Sequence, residues 1–108
     1  MRPASIKSKN EFDKVFDNGK RYKGELLTLI AAKGSGPLKL GIIVNSKFGG
    51  AVERNKVKRK IREAFRSVAG KFKENPEVVI IPKAPARQAK MPEILTDLSS
   101  IAHRAGIL

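Results

Sequence analysis

Cysteine and tryptophan are absent from this 108-residue chain, which has one tyrosine, one histidine and only 10 acidic residues. The lack of cysteine excludes disulfides, thiolate metal sites and thiol catalysis. No apolar run approaches the roughly 18 residues of a membrane span, and a surface-bound amphipathic segment would carry bulky aromatic residues opposite its charges. The composition therefore argues against a membrane partner and against a cysteine-based active site.

Basic residues are abundant instead, and 23 lysines and arginines give the chain a net charge of +13. Such self-repulsion costs stability unless a polyanion relieves it, so the charge points to nucleic acid. The length and the 41% hydrophobic content are typical of one folded domain spanning residues 1–108. The first ten residues lack the apolar stretch of a secretory signal, so the expected location is cytoplasmic.

The first half of the chain predicts one helix and two strands. Ser8 and Glu11 have the spacing of a capping box at the start of a helix. A strand-like run at 22–33 is followed by the turn sequence GSGP and by a second apolar run at 38–47. We expect these two runs to pair as an antiparallel hairpin.

The second half predicts a long helix after Gly50, a buried strand at 77–82 and a last helix that begins near Pro92. The apolar stripe of the last helix is Ile94, Leu95, Leu98, Ile101, Ala102 and Ala105. The resulting order, α-β-β-α-β-α, predicts an α+β fold, a single-domain α-β sandwich.

The long helix concentrates the charge, since seven lysines and arginines lie between positions 54 and 66 beside two glutamates. On a helical wheel the apolar face is Val57, Ile61, Ala64, Phe65 and Val68, and the face opposite is Asn55, Arg59, Arg62 and Arg66. A solvated outer face is the usual explanation of a charge run. Here, however, like charges recur one turn apart, and each such pair costs about 0.2 to 0.5 kcal/mol. The pattern, together with the bidentate phosphate binding of arginine, favours a polyanion-binding face.

The stretch from Lys47 to Arg66, KFGGAVERNKVKRKIREAFR, resembles the signature of the bacterial ribonuclease P protein subunit. A first helix with two phenylalanines one turn apart, a strand ending GIIVNSK, a strand VVIIPK and an amphipathic last helix also follow the family's order. The resemblance therefore covers nearly the whole chain. It implies an RNA-binding sandwich of ribosomal-protein type with a left-handed βαβ crossover, although handedness statistics alone would predict a right-handed one.

The resemblance also implies the partners. Members of the family bind the catalytic RNA of ribonuclease P, and the holoenzyme removes the 5′ leader from precursor transfer RNA. The RNA is then the catalyst and holds the Mg²⁺ ions that do the chemistry, so no catalytic side chain is expected here. A metal bound by the protein itself stays open, and no obligate protein partner is evident. By matching position, the set that binds the catalytic RNA is Lys47, Arg54, Asn55, Lys58, Arg59 and Arg62, and Arg66 extends it by charge and geometry.

Phe12 and Phe16 match the family's two aromatics of the first helix, which line a cleft for the single-stranded leader. Unpaired nucleotides are commonly held by stacking on aromatic rings in a positive groove. Core packing is the alternative for both rings, and for Phe16 the two possibilities are left open. The strand ELLTLIAA offers only aliphatic residues and Thr28 where family members often present a further aromatic. Electrostatics should therefore carry a larger share of leader binding.

Two rival functions compete with this one. A ribosomal or general RNA-binding protein would share the size and charge, but would have no reason to combine the arginine motif with a phenylalanine-bearing cleft. A protein-only nuclease needs a metal-binding carboxylate cluster or an acid-base pair. The acids Glu11, Asp13 and Asp17 instead suit capping and solubility, and the lone His103 suits a solvated helix end.

Overall fold

Residues 3–108 are described by a computed structural model, in which one five-stranded sheet is packed between three α-helices. The strands are β1 (Ala4–Ser5), β2 (Lys20–Lys23), β3 (Leu27–Ala32), β4 (Lys39–Ile42) and β5 (Glu77–Pro82). The helices are α1 (Lys9–Asn18), α2 (Ala51–Val68) and α3 (Met91–Arg104), and short 3₁₀ turns cover Ser46–Phe48, Ala69–Lys71 and Ala84–Arg87. The predicted α+β sandwich is confirmed.

A local capping interaction sets the start of α1, and buried apolar stripes orient α2 and α3. Ser8 caps α1, with its hydroxyl accepting from the Glu11 N–H at 3.2 Å while the Glu11 carboxylate accepts from the Ser8 N–H. The five residues predicted for the apolar face of α2 are all buried. In α3, Ile94, Leu98 and Ile101 are fully buried. None of the helices in residues 3–108 is both long and apolar enough to cross a membrane.

The strand order in the sheet is β1-β4-β5-β3-β2. The predicted hairpin between 22–33 and 38–47 is wrong, because β5 lies between β3 and β4 and pairs with both. The run at 22–33 instead divides at residues 24–26, so that β2 and β3 form the antiparallel hairpin. Two short strands, β1 and β2, are therefore added to the predicted order. The β4-α2-β5 unit is a parallel βαβ crossover, and the left-handed sense that the resemblance implies for it stays a prediction.

Alternation along the strands divides the core between the two faces of the sheet. Leu29 and Ile80 point to one face, where they pack with α2 and α3 in the larger cluster. Ile30 and Val79 point to the other face, where Val15 of α1 covers them in a smaller cluster. The two neighbouring strands β3 and β5 thus bury both faces, which explains their continuously apolar sequences.

Candidate nucleic-acid interface

The outer side of α2 forms a surface that we call the basic face, made of Asn55, Arg59, Arg62 and Arg66. All four side chains are exposed, opposite the buried Val57-to-Val68 stripe. The one ion pair among residues 3–108 joins Lys39 to Glu11 at 3.5 Å, so no carboxylate neutralises these guanidinium groups. The guanidinium forks of the basic face are therefore available to phosphate oxygens.

The side chains that flank the basic face are partly buried or hydrogen-bonded to the backbone. Arg54 is half-buried, and its Nη1 donates to the Gly49 carbonyl at 3.2 Å, which ties the helix to the turn before it. Lys58 is half-buried as well. Lys60 donates from Nζ to the Ala89 carbonyl at 2.8 Å and so holds the connection into α3. Arg54 and Lys60 thus have a structural use, whereas the exposed arginines of the basic face make no such side-chain bond to the described residues.

Arg87 lies near the start of α2, although nothing in the sequence indicated that it would. Its guanidinium carbon lies 5.6 Å from the centre of the Phe48 ring, in a cation-π arrangement. A Cβ built on Gly49 would lie 3.3 Å from an Arg87 guanidinium nitrogen, so the side chains of Arg87 and Arg54 both approach Gly49. The predicted residue Lys47 is exposed in the same turn. Arg87 follows Phe48 by about 40 residues in sequence and lies in a proline-punctuated connection with no motif, so only the tertiary fold indicated it.

A cavity of about 310 Å³, here called the edge cavity, lies beside the basic face at the β1 and β4 edge of the sheet. It is lined by residues 3–6, Phe12, residues 40–42, Arg62 and Arg66. Two of the arginines predicted to bind the catalytic RNA therefore reach the same cavity as one of the phenylalanines predicted to bind the leader.

Phe12 is held against the strand by Gly41. A Cβ at Gly41 would lie 2.6 Å from the Phe12 ring, which is closer than real Cβ contacts allow, so glycine is needed for the ring to approach. Phe16 is half-buried against the smaller core cluster and is not among the residues that line the edge cavity. The structure thus brings Phe12, and not Phe16, to the arginines.

The edge cavity also contains an unused stretch of sheet edge. The Ile6 N–H donates to the Leu40 carbonyl at 3.0 Å, and the Ile43 N–H donates to the Ile80 carbonyl of β5 at 3.1 Å. Because alternate residues of a parallel strand pair with opposite neighbours, the N–H and C=O of Ile42 point to the β1 side. The paired residues of β1 and β4 end at Ser5 and Leu40, and among the described residues no backbone partner for the Ile42 N–H or C=O is present on the β1 side. The cavity therefore combines an aromatic wall, two cations and a free donor and acceptor.

One carboxylate beside the cavity is tuned by its surroundings. The Ser8 backbone N–H, and secondarily the charge of Lys39, hold the pKa of Glu11 below its ordinary value. Since Glu11 and Lys39 pair at 3.5 Å, the charged carboxylate connects α1 to β4.

Among residues 3–108, no three histidine or acidic side chains come together as a group that could hold a metal ion. His103 is exposed near the end of α3.

The molecule is thus a small α+β domain that presents a cationic helical face beside an aromatic cavity. The family model described as Ribonuclease P matches residues 1–106. The ribonuclease P protein components of Shouchella clausii (strain KSM-K16) and Xylella fastidiosa (strain 9a5c) are 31% and 34% identical to the chain. These alignments cover 95% and 99% of this chain and 86% and 79% of the relatives. The chain belongs to the ribonuclease P protein family.

Two solved structures show the same architecture. The ribonuclease P protein of Staphylococcus aureus superposes with a TM-score of 0.87 at 25% identity, covering 98% of both chains. The ribonuclease P protein of Thermotoga maritima superposes with a TM-score of 0.83 at 28% identity, covering 93% of this chain and 96% of that one. The similarity therefore extends over the sheet and all three helices.

Proposed function

We propose that this chain is the protein subunit of a ribonuclease P holoenzyme, that it binds the catalytic RNA through the basic face, and that it binds the 5′ leader of precursor transfer RNA at the edge cavity. The observation that carries the proposal is the meeting of Arg62, Arg66 and Phe12 at one cavity. A surface that served the catalytic RNA alone would not need an aromatic wall at its border. The expected place of action is the cytoplasm.

The binding of the catalytic RNA rests on charge and rigidity. The arginines project from a helix of 18 residues whose opposite side is buried, so their positions are set before the RNA arrives. Each phosphate that they neutralise releases condensed counterions, which favours binding at low salt. Lys47 and Arg87 extend this charge beyond the start of α2. Asn55 adds a neutral donor and acceptor within the same face.

The binding of the leader rests on stacking and on exposed backbone. The edge cavity, of about 310 Å³, is comparable in size to one unpaired nucleotide. The Phe12 ring supplies the stacking platform, worth roughly 1 to 3 kcal/mol per base, while Arg62 and Arg66 attract the backbone phosphate. The free N–H and C=O of Ile42 offer hydrogen bonds to the edge of the base.

The chemistry in this proposal belongs to the RNA subunit, which would hold the Mg²⁺ ions used in hydrolysis. The protein contributes positive charge between two RNAs and thereby lowers their repulsion. Less Mg²⁺ is then needed to bring substrate and ribozyme together.

The proposal is tested by titrating the protein onto the catalytic RNA at low Mg²⁺ and following release of the leader from a precursor transfer RNA. We expect cleavage at Mg²⁺ concentrations where the RNA alone is inactive. An unchanged Mg²⁺ requirement would refute the mechanism. Cleavage by the protein without the RNA would favour a protein-only nuclease, and RNA binding without any effect on the ribozyme would favour a general RNA-binding protein.

The role of the edge cavity gives a second prediction. Phe12→Ala should weaken the affinity for precursor transfer RNA about 5- to 150-fold, the equivalent of one stacked base, and leave the affinity for mature transfer RNA unchanged. The measurement is binding of both substrates to the preformed complex with the catalytic RNA. Phe16→Ala is the matched control, because this ring packs against the same core cluster but does not line the cavity. Equal reductions for both substrates in the Phe12 variant would indicate a folding defect and would contradict the assignment.

A further inference from the structure

A second cavity, of about 410 Å³, lies at the opposite end of the sheet beside the outermost strand β2. We call it the lysine pocket. Its lining includes Lys20, Tyr22, residues 31–33, Lys73, Glu74 and residues 105–107. The edge cavity borders β1 and β4, at the other edge of the sheet. The proposed function makes no use of the lysine pocket.

The pocket exists because the side chains at this end of the sheet are small. On the face of β3 that packs against α3, the large residues Leu27 and Leu29 are followed by Ala31. The helix α3 ends at Arg104, and the chain then turns back, with the Ile107 N–H donating to the Ala102 carbonyl at 3.1 Å. The Lys73 N–H donates to the Ile107 carbonyl at 2.9 Å. Hydrogen-bonded segments therefore border the space.

The charge of the pocket is the feature that requires explanation. Three lysines from three different segments, Lys20, Lys33 and Lys73, line it beside the single acid Glu74. None of them takes part in an ion pair among the described residues. Lysine on an edge strand can prevent unwanted strand pairing, which would account for Lys20 alone. It does not account for the convergence of Lys33 and Lys73 on the same cavity.

Tyr22 suits an occupant that contains both a phosphate and a ring, and a turn with left-handed backbone forms the other side of the wall. Tyr22 is half-buried on the pocket wall and presents an aromatic surface beside the lysines. On the other side, Glu74 and Asn75 adopt left-handed backbone conformations, with φ of 57° and 45°, which cost roughly 1 kcal/mol or more each. This turn directly follows Lys73 and forms part of the wall.

We propose that the lysine pocket is a second RNA-binding site, which takes one unpaired nucleotide with its phosphate among the lysines and its base against Tyr22. The proposal rests on the proposed function in that the partner is RNA. The nucleotide belongs either to the catalytic RNA or to the substrate, since both offer the same chemistry. With sites at both ends of the sheet, the protein would hold two RNA segments at once, and the second contact would benefit from a high effective concentration.

The test compares two double variants that remove the same charge at neighbouring positions. Lys20→Ala/Lys73→Ala removes two lysines that line the pocket, whereas Arg21→Ala/Lys71→Ala removes exposed cations from adjacent positions that do not line it. We expect the pocket variant to bind RNA about tenfold more weakly or worse, with the log-log salt slope lower by about 0.7 to 0.9 because one phosphate is no longer neutralised. The control should remain within about twofold of the parent protein, as expected for charges that do not bind phosphate.

The source of the nucleotide is identified by measuring the catalytic RNA alone and, separately, precursor transfer RNA on the preformed complex. Since the chain has no cysteine, Lys33→Cys also places a unique thiol in the pocket for a photoactivated crosslinker. We expect a crosslink to one of the two RNAs. Equal reductions of affinity in the two double variants, or no reduction in either, would overturn the pocket while leaving the proposed function intact. A parent protein without salt-sensitive affinity for the catalytic RNA would overturn both.

Discussion

Replacing Arg59 and Arg62 together with alanine is expected to weaken binding of the catalytic RNA by at least about 100-fold at moderate salt. Each charge-assisted hydrogen bond to a phosphate contributes roughly 1.5 to 3 kcal/mol, and the exposed guanidinium groups have no carboxylate partner among the described residues. The slope of log affinity against log salt should fall by about 0.7 to 0.9 for each phosphate that is no longer neutralised. Binding measured over a salt series gives both quantities.

Two controls accompany this prediction. Arg59→Lys/Arg62→Lys keeps the charge and removes only the planar fork, so it should retain most of the salt slope while weakening the affinity in part. Lys9→Ala/Lys14→Ala removes the same charge from exposed positions of α1 and should have a small effect. Because all these positions are solvent-exposed, the variants should unfold like the parent protein. An unchanged salt slope in the alanine variant would remove both arginines from the interface.

The replacement of Asp97 by alanine is expected to lower the free energy of unfolding by about 2 to 4 kcal/mol, a large fraction of the stability of a small domain. From α3 the carboxylate accepts three backbone N–H groups of the turn between β2 and β3, those of Glu25, Leu26 and Leu27, each at 3.0 Å. Without it, the half-buried donors of this turn have no partner in the protein. Chemical denaturation measures the change.

The matched variants for Asp97 separate the hydrogen bonds from the charge. Asp97→Asn keeps one acceptor oxygen and should reduce the stability by roughly half as much. Glu63→Ala removes an exposed acid with no ion-pair partner among the described residues, so it should leave the free energy of unfolding nearly unchanged. If the Asp97 and Glu63 variants were equally stable, the carboxylate would not be what holds the turn.

The helices and the central strand were predictable because the residues that define them lie close together in the sequence. The capping box of α1, the glycines before α2 and the apolar stripe of α2 each depend on residues within a few turns of one another. The strand at 77–82 was bounded correctly, since an apolar run between turn residues can be recognised without knowing its neighbours. The arginines of the basic face followed from the same helical periodicity, which placed them opposite the buried stripe.

The pairing of the strands was not predictable in this way. The sequence favoured a hairpin between 22–33 and 38–47 because they are adjacent along the chain and separated by a glycine-proline turn. The strands of these runs, β3 and β4, both pair with β5, which follows α2 in the sequence. The division of the first run at residues 24–26 depends on Asp97, about 70 residues away, whose carboxylate holds the turn.

The kind of protein could be recognised from the linear chain, because charge, helical periodicity and the arginine motif are properties of residues near one another in sequence. The folded molecule alone showed which groups share a site. Phe12 lines one cavity with Arg62 and Arg66, and Arg87 lies at the turn before α2. Three lysines line a second cavity with Tyr22. These groups come from segments far apart in the chain. Their proximity is set by which strands pair and which faces of the sheet the helices cover, and both depend on long-range packing that no local pattern specifies.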